Sequence, residues 1–120
     1  MKIYVAHSTN CDYVNEIYKP IREDSKLKKH YIVLPHEDEN YLHDRAYYNN
    51  FDIAICEVSY PSTGLGIELA FLFDSSIPIY CLYKKNSNYS KAVLAVTKNI
   101  IEYNDKKDLV EKIKDIVESR

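Results

Sequence analysis

The segment 59–68, with the sequence SYPSTGLGIE, carries the residue types best suited to ligand binding and chemistry. Its serine, threonine and glycine residues lie at the N-terminus of a predicted helix, whose free amides favour phosphate groups or sugar hydroxyls. Glu68 falls about one turn into that helix, where the helix dipole and nearby donors should keep its carboxylate ionised. An ionised carboxylate suits a nucleophile, although a solvent-facing glutamate is an equally ordinary occupant of a first helical turn.

The glycine content singles out the same segment. The chain has two glycines, Gly64 and Gly66, where average usage predicts about eight. A chain that otherwise manages without glycine uses both within three residues. We therefore expect that this backbone either adopts a positive φ angle or is closely approached by a ligand.

Two further residues are candidates for chemistry. Asp44 lies in a predicted helix that leads into the third strand, and Tyr4 lies in the first strand. Each is ordinary by itself, as an exposed helix acid or a strand tyrosine. The ends of their segments are nevertheless predicted to converge with Glu68 at one crevice. Two carboxylates and a phenol suit glycosidic chemistry, in which one acid donates a proton and the other attacks the anomeric carbon.

The elements that must position these residues alternate between strand and helix patterns. Strands are predicted at 2–6, 30–34, 51–58, 77–83 and 99–103. Helices are predicted at 11–24, 40–50, 64–74 and 105–118, with Ser62 or Thr63 as the cap of the third. Pro20 should kink the first helix or end it early.

This alternation predicts right-handed βαβ units and a parallel sheet. The expected fold is α/β, a flavodoxin-like doubly wound five-stranded parallel sheet in the order 2-1-3-4-5. A length of 120 residues fits a single domain spanning 1–120. Ligands of such sheets bind where the strand order reverses, between strands one and three. The loops 6–10 and 59–66 should therefore face the site.

Composition excludes several classes of function. The net charge is −2, without the basic excess of proteins that bind duplex nucleic acid or polybasic membrane sites. No apolar run reaches the roughly 18 residues needed to cross a bilayer. The apolar run at the N-terminus is too short for a signal peptide, so we expect a cytoplasmic protein.

Metal and disulfide chemistry are not expected either. The three cysteines are widely spaced and form no C-x-x-C pair, which favours reduced thiols. The four histidines show no metal-binding spacing, so we expect no metal and no organic cofactor. These residues are Cys11, Cys56 and Cys81, and His7, His30, His36 and His43.

The pattern DxxxxEVSxPSxGxGxEL, from Asp52 to Leu69, resembles the nucleoside 2-deoxyribosyltransferase family. The similarity runs from Tyr4 to about Lys85 and is closest to the 2'-deoxynucleoside 5'-phosphate N-hydrolase branch. This resemblance implies a doubly wound α/β fold and cleavage of an N-glycosidic bond.

The resemblance also implies three catalytic roles. Glu68 matches the family's glutamate, which attacks C1' and forms a covalent sugar–enzyme intermediate. Asp44 matches the acid that handles the base, and Tyr4 matches the tyrosine that positions the glutamate. A 2-deoxy sugar suits this chemistry because it lacks the electron-withdrawing 2'-hydroxyl, so positive charge develops more easily at C1'.

Ser62 matches the serine of the phosphate hydrolases, where the transferases typically carry an aspartate that would repel a 5'-phosphate. Ser8 matches a phosphate-contacting serine. The loop after strand one lacks the hydrolases' glycines and arginine, and His7 is a candidate source of charge there. The family also implies a homodimer with sites near the interface, in which Ser90 is a candidate for the serine supplied by the neighbouring subunit.

Alternative functions remain open at this point. The same intermediate captured by a second base would make the protein a transferase acting on free deoxynucleosides. An NAD or ADP-ribose glycohydrolase, as in Toll/interleukin-1 receptor-type domains, and a non-catalytic nucleotide-binding module are further alternatives. A receiver domain is rejected because His7–Ser8 and Val58–Ser59 stand where it needs acidic residues. A flavodoxin is rejected because the loop after strand one matches its phosphate loop poorly.

Overall fold

The computed structural model describes residues 1–120 and contains one five-stranded sheet in which every strand pair is parallel. The strands are β1 (Lys2–His7), β2 (Tyr31–Val33), β3 (Ile53–Glu57), β4 (Ile79–Lys84) and β5 (Ile100–Tyr103). Their order is β2-β1-β3-β4-β5, which confirms the predicted topology. The strand order therefore reverses between β1 and β3.

The two longest helices lie close to their predicted positions. They are α2 (Thr63–Asp74) and α3 (Lys106–Glu118). The Ser62 side chain accepts a hydrogen bond from the Leu65 amide at 3.3 Å, as the predicted cap of α2 requires. Asp105 caps α3 in the same way, at 2.8 Å from the Asp108 amide. None of the helices combines the length and apolar character that a membrane span needs.

The first helical segment passes through Pro20. A π-helical stretch, Val14–Tyr18, leads directly into α1 (Lys19–Glu23). The Lys19 amide bonds to the Val14 carbonyl, five residues back. A proline ring normally clashes with the carbonyl four residues earlier, and we attribute the wider turn to the relief of that clash. The helix therefore continues through Pro20 to Glu23 with a change of helix type and does not end early.

The predicted helix at 40–50 is wrong in its first half. Only Arg45–Asn50 is helical, as a 3₁₀ helix, and Asp44 is its cap. The Asp44 carboxylate accepts the Tyr47 amide at 3.2 Å. An aspartate that bonds to the backbone ahead of it starts a helix instead of continuing one. Further 3₁₀ helices lie at Leu27–Lys29, Pro35–Glu37 and Lys91–Ala95.

Side-chain alternation along β1 decides which residues can reach α2. Ile3 and Val5 pack in the core that includes α3, on one face of the sheet. Tyr4 and Ala6 pack on the opposite face, in the core that includes Leu72 of α2. Tyr4 is therefore directed toward the helix that carries Glu68.

Candidate active site

Glu68 of α2 is held by two phenols from two other elements. The hydroxyl of Tyr4 on β1 donates a hydrogen bond to Oε2 of Glu68. The hydroxyl of Tyr48, in the Arg45–Asn50 helix, donates to the same oxygen at 3.1 Å. The rings of Tyr4 and Tyr48 pack edge to face, with centroids 5.1 Å apart. The expected convergence of Tyr4 and Glu68 is thus present in the structure.

Burial controls the electrostatics of this cluster. Burial raises the pKa of Glu68, and the hydrogen bonds from Tyr4 and Tyr48 oppose that rise. Glu68 lies more than one turn beyond the helix start at Thr63, so burial and not the helix dipole has the largest effect on its pKa. Burial and the nearby carboxylate raise the pKa of Tyr4, so its phenol stays protonated and can donate.

Glu68 faces a cavity of about 320 Å³, a volume within the range of small-molecule sites. The lining is rich in aromatic and imidazole side chains. It contains no lysine or arginine, and Glu68 is its single acidic residue. Besides Glu68 and Tyr48, the lining includes His7, His36, Tyr41, His43, Ser62, Gly64 and Phe71.

Asp44 is not brought to Glu68, contrary to the predicted convergence of the two acids. Its side chain is exposed and caps the Arg45–Asn50 helix, and it is absent from the cavity lining. The neighbouring His43 does line the cavity, with its ring stacked 3.6 Å from that of Tyr47. The catalytic role of Asp44 therefore stays a prediction from the resemblance.

Neither glycine has a positive φ angle, so that half of the expectation is wrong. A Cβ atom added at Gly64 or Gly66 would meet no atom within 4 Å. The space above both residues is open, which leaves the backbone accessible to a close approach. Gly64 lines the Glu68 cavity, whereas Gly66 lines a second cavity beside it.

The three candidate serines lie in different places. Ser62 lines the Glu68 cavity at the N-terminus of α2. Ser8 is buried, its hydroxyl accepts the Asn10 amide at 3.0 Å, and it does not line that cavity. Ser90 is exposed at the start of the Lys91–Ala95 helix and lines the second cavity, of about 470 Å³, which also reaches Ser62. Within one chain, Ser90 and Glu68 therefore do not share a cavity.

His7 is buried and neutral, not a source of positive charge. Its Nδ1 lies 2.9 Å from the Ser8 carbonyl, which can only accept, so Nδ1 carries the proton. Nε2 then accepts from the Tyr18 hydroxyl at 2.6 Å, and that hydroxyl accepts the His36 amide at 2.9 Å. Burial lowers the pKa of His7. The suggestion that His7 replaces the missing arginine is not supported.

Sequence reasoning missed Tyr48 and the structural part played by Glu57. Tyr48 is one of 12 tyrosines, and no motif distinguishes it. Glu57, at the end of β3, is part of the 52–69 family pattern, but no role could be assigned to it from the sequence. Its buried carboxylate accepts from the Ser59 amide at 2.6 Å, from the Ser59 hydroxyl at 2.8 Å and from the Tyr103 hydroxyl.

No group of histidine, cysteine, aspartate or glutamate side chains is arranged to hold a metal ion. The three cysteines are free thiols. The site contains a half-buried carboxylate, two phenols that donate hydrogen bonds to it, and an aromatic cavity beside a helix N-terminus. This arrangement fits nucleophilic attack on a small aromatic-bearing substrate.

The fold places the chain among doubly wound α/β proteins, and comparison with solved structures agrees. A CMP N-glycosidase of Clostridium botulinum, BcmB, superposes with a TM-score of 0.63 at 18% identity, over 95% of this chain and 99% of that one. A conserved protein from Enterococcus faecalis V583 gives a TM-score of 0.66 at 16% identity, over 97% and 98%. At these identities the likeness concerns the fold alone.

Sequence comparison identifies more specific relatives. No protein-family model matches the chain. Proteins named "Putative 2'-deoxynucleoside 5'-phosphate N-hydrolase 1" are 34% identical over 76 residues in Methanosarcina barkeri and 34% over 84 residues in Methanosarcina mazei. These matches cover 61% and 68% of this chain. They confirm the resemblance to this branch that the 52–69 pattern predicts.

A third such protein, from Methanococcoides burtonii, is 33% identical over 61 residues, or 51% of this chain. The matches cover 48%, 52% and 50% of the three relatives, so the chain spans about half the length of the curated relatives it matches.

Proposed function

We propose that this protein cleaves the N-glycosidic bond of a 2'-deoxynucleoside 5'-monophosphate and releases the free base and 2-deoxyribose 5-phosphate. The observation that carries the proposal is the half-buried Glu68 carboxylate, hydrogen-bonded by Tyr4 and Tyr48 and open to a cavity of substrate size. The names of the curated relatives and the pattern from Asp52 to Leu69 support the same chemistry.

The reaction proceeds in two displacements at C1'. A Glu68 carboxylate oxygen forms a bond to C1', and the N-glycosidic bond breaks with its electron pair passing to the base. The departing base nitrogen takes a proton, and the resemblance makes Asp44 the acid that supplies it. Water then attacks C1', loses a proton, and releases Glu68 as a carboxylate. Tyr4 holds the carboxylate in place through both steps.

The cavity walls suit the base and the sugar. Aromatic and imidazole rings, including His36, Tyr41 and Phe71, offer apolar faces against which a nucleobase can stack. A 2-deoxy sugar is favoured because no 2'-hydroxyl withdraws electrons from C1' as positive charge develops there.

The N-terminus of α2 is the proposed phosphate site. Ser62 and the backbone at Gly64 face the cavity, and the helix dipole adds partial positive charge there. Burial lowers the pKa values of His7 and His36, so both rings are neutral near pH 7. The phosphate would therefore be held by amides and a hydroxyl instead of a cationic side chain.

The absence of a cationic side chain from the cavity lining favours one alternative. A deoxyribosyltransferase acting on free deoxynucleosides needs no phosphate site. It would use the same Glu68 intermediate and let a second base attack C1' in place of water. The two activities differ in the substrate accepted and in the group that captures the sugar.

A homodimer is also proposed, with Ser90 presented to the neighbouring subunit's site. Helix α2 is apolar on its outer as well as its inner side, which is typical of a helix covered on both. Ile67 and Phe73 of α2 and the nearby Leu94 are about half exposed in the single chain. A second copy would cover them. The cytoplasmic location expected from the sequence stays a prediction.

A substrate panel tests the proposed function. Base release is measured for the four deoxynucleoside 5'-monophosphates and the four matching nucleosides, with and without a labelled acceptor base. We expect monophosphates to be preferred by about 10- to 100-fold in kcat/KM, the value of one or two hydrogen bonds to a charged group. Turnover of nucleosides alone, and only with an acceptor base, would establish the transferase instead.

Ser62→Asp is the matched variant for the phosphate site. Aspartate caps a helix as well as serine does, so α2 should remain folded. Its carboxylate would repel a 5'-phosphate and leave a free nucleoside unaffected. Loss of the monophosphate preference is therefore expected, and an unchanged preference would place the phosphate elsewhere.

A further inference from the structure

We propose that Tyr48 is a second positioning residue for Glu68, which with Tyr4 holds Oε2 so that Oε1 is the oxygen that attacks C1'. This inference rests on the proposed function and assigns the two oxygens of its nucleophile to different tasks.

The hydrogen-bond donors distinguish the two oxygens of the Glu68 carboxylate. Both phenol hydrogen bonds end on Oε2 of Glu68, whereas no donor from the chain bonds to Oε1. An oxygen that accepts two hydrogen bonds has its electron pairs engaged and is the weaker nucleophile. Oε1 keeps its electron pairs free for the substrate.

Tyr48 reaches Glu68 from an element independent of β1. Its ring is 2% exposed and packs between Tyr4 and Phe71, with centroid distances of 5.1 and 5.9 Å. The Asp44 cap fixes where the helix that carries Tyr48 begins. The Tyr48 hydroxyl is therefore held in place by packing on one side and by backbone geometry on the other.

No cationic side chain near Glu68 shares with the two phenols the stabilisation of its negative charge. The titratable groups that line the cavity with it are His7 of β1, His36 of the Pro35–Glu37 helix, Tyr41 and His43 of the loop that follows it, and Tyr48. Tyr4 of β1, Tyr18, Tyr47 and Cys56 of β3 are near enough to interact with its charge. None of these groups is a lysine or an arginine. The charge on Glu68 is thus stabilised mainly by Tyr4 and Tyr48.

The pair of phenols acts on both chemical steps. When Oε1 bonds to C1', Oε2 becomes the carbonyl oxygen of the glutamyl ester, and the phenols remain hydrogen-bonded to it. When water displaces the sugar, the C1'–Oε1 bond breaks and its electron pair returns to the carboxylate. The donors on Oε2 stabilise that returning charge, so they assist the departure of Glu68.

Tyr48→Phe removes the donor and keeps the ring, and Tyr47→Phe is the matched control. The Tyr47 ring also packs on Tyr4, at 6.3 Å, but its hydroxyl makes no bond to Glu68. We expect Tyr48→Phe to lower kcat about 10-fold, the value of one hydrogen bond to a charged group, with KM nearly unchanged. Tyr47→Phe should leave both constants near wild type.

The pH profile separates positioning from a general packing effect. Glu68 must be ionised to attack, so activity falls as the pH drops through its pKa. Loss of the Tyr48 donor raises that pKa further, so the acid limb of kcat/KM, which reports the free enzyme, should move to higher pH by about one unit. The same shift should appear when the Glu68 carboxyl carbon is titrated by NMR in the absence of substrate.

The NMR titration keeps the inference distinct from the proposed function, because it needs no turnover. A Glu68 pKa equal in wild type and Tyr48→Phe overturns the role of Tyr48, whatever the activity. Absence of base release by the wild type overturns the proposed function alone. If Tyr48→Phe does not fold, the Tyr48 ring carbon that bears the hydroxyl is followed by NMR while the pH is varied through the pKa of Glu68, in wild type and in Glu68→Gln. A chemical shift that does not change with Glu68 ionisation in the wild type, or that changes equally in Glu68→Gln, then overturns the contact.

Discussion

Glu68→Gln is expected to abolish base release, with kcat lowered by about 10⁴-fold or more, as when other covalent enzymes lose their nucleophile. Glutamine keeps the shape of the side chain and still accepts hydrogen bonds from Tyr4 and Tyr48 through its amide oxygen. It cannot form the ester at C1'. The measurement is base release from the best monophosphate, followed to a single turnover. Residual activity within 10-fold of wild type would contradict the nucleophilic role.

The same variant should be more stable than wild type at neutral pH, which also shows that the inactive protein is folded. Burial raises the pKa of Glu68 in the folded state above its unfolded value. Above the unfolded pKa of about 4.3, ionisation therefore disfavours folding, and glutamine removes that penalty. We expect a higher free energy of unfolding than wild type at pH 7, by an amount that disappears below about pH 4, measured by urea denaturation. A less stable variant at pH 7 would mean that the phenols stabilise the carboxylate by more than burial costs.

Glu57→Ala is expected to lower the free energy of unfolding by about 3 kcal/mol, because it removes the acceptor of three buried donors. Glu57 ties Ser59 to Tyr103 of β5, and the Ser59 hydroxyl accepts the Lys84 amide of β4 at 2.7 Å. One carboxylate therefore joins the ends of β3, β4 and β5 beneath the loop that leads to α2.

An exposed glutamate on β5, Glu102, provides the control for Glu57. Glu102→Ala should change the free energy of unfolding by less than about 0.5 kcal/mol, as is usual for a surface substitution. The comparison is made by urea denaturation at pH 7. Equal stabilities of the two variants would show that the network around Glu57 contributes nothing.

The strands and the helices α2 and α3 could be predicted from the sequence because their signals are local, and the strand order was predicted from their alternation along the chain. Buried parallel strands are continuous apolar runs, and α3 repeats apolar residues at helical spacing. Ser62 could be identified as a cap for the same reason. The start of the helix at Arg45 was missed because residues 40–50 together have a helical pattern. That pattern does not show that the Asp44 side chain caps the backbone and starts the helix only after itself.

The site was less predictable because its contacts span the chain. Tyr48 lies 20 residues from Glu68 in the sequence, and nothing local marks one tyrosine among 12 as the one that reaches it. The raised pKa of Glu68 and the neutral state of His7 both depend on burial, which no short sequence pattern encodes. The family resemblance supplied Tyr4 and Glu68, and the structure places them in contact.

Intact-mass spectrometry of the protein, quenched in acid during turnover of a 2'-deoxynucleoside 5'-monophosphate, tests the covalent role of Glu68 most directly. We expect a fraction of the wild-type chain to carry the added mass of one deoxyribosyl phosphate, and peptide mapping to place it on Glu68. Glu68→Gln should carry none. Rapid base release by the wild type with no adduct, together with an active Glu68→Gln, would show that water attacks C1' directly.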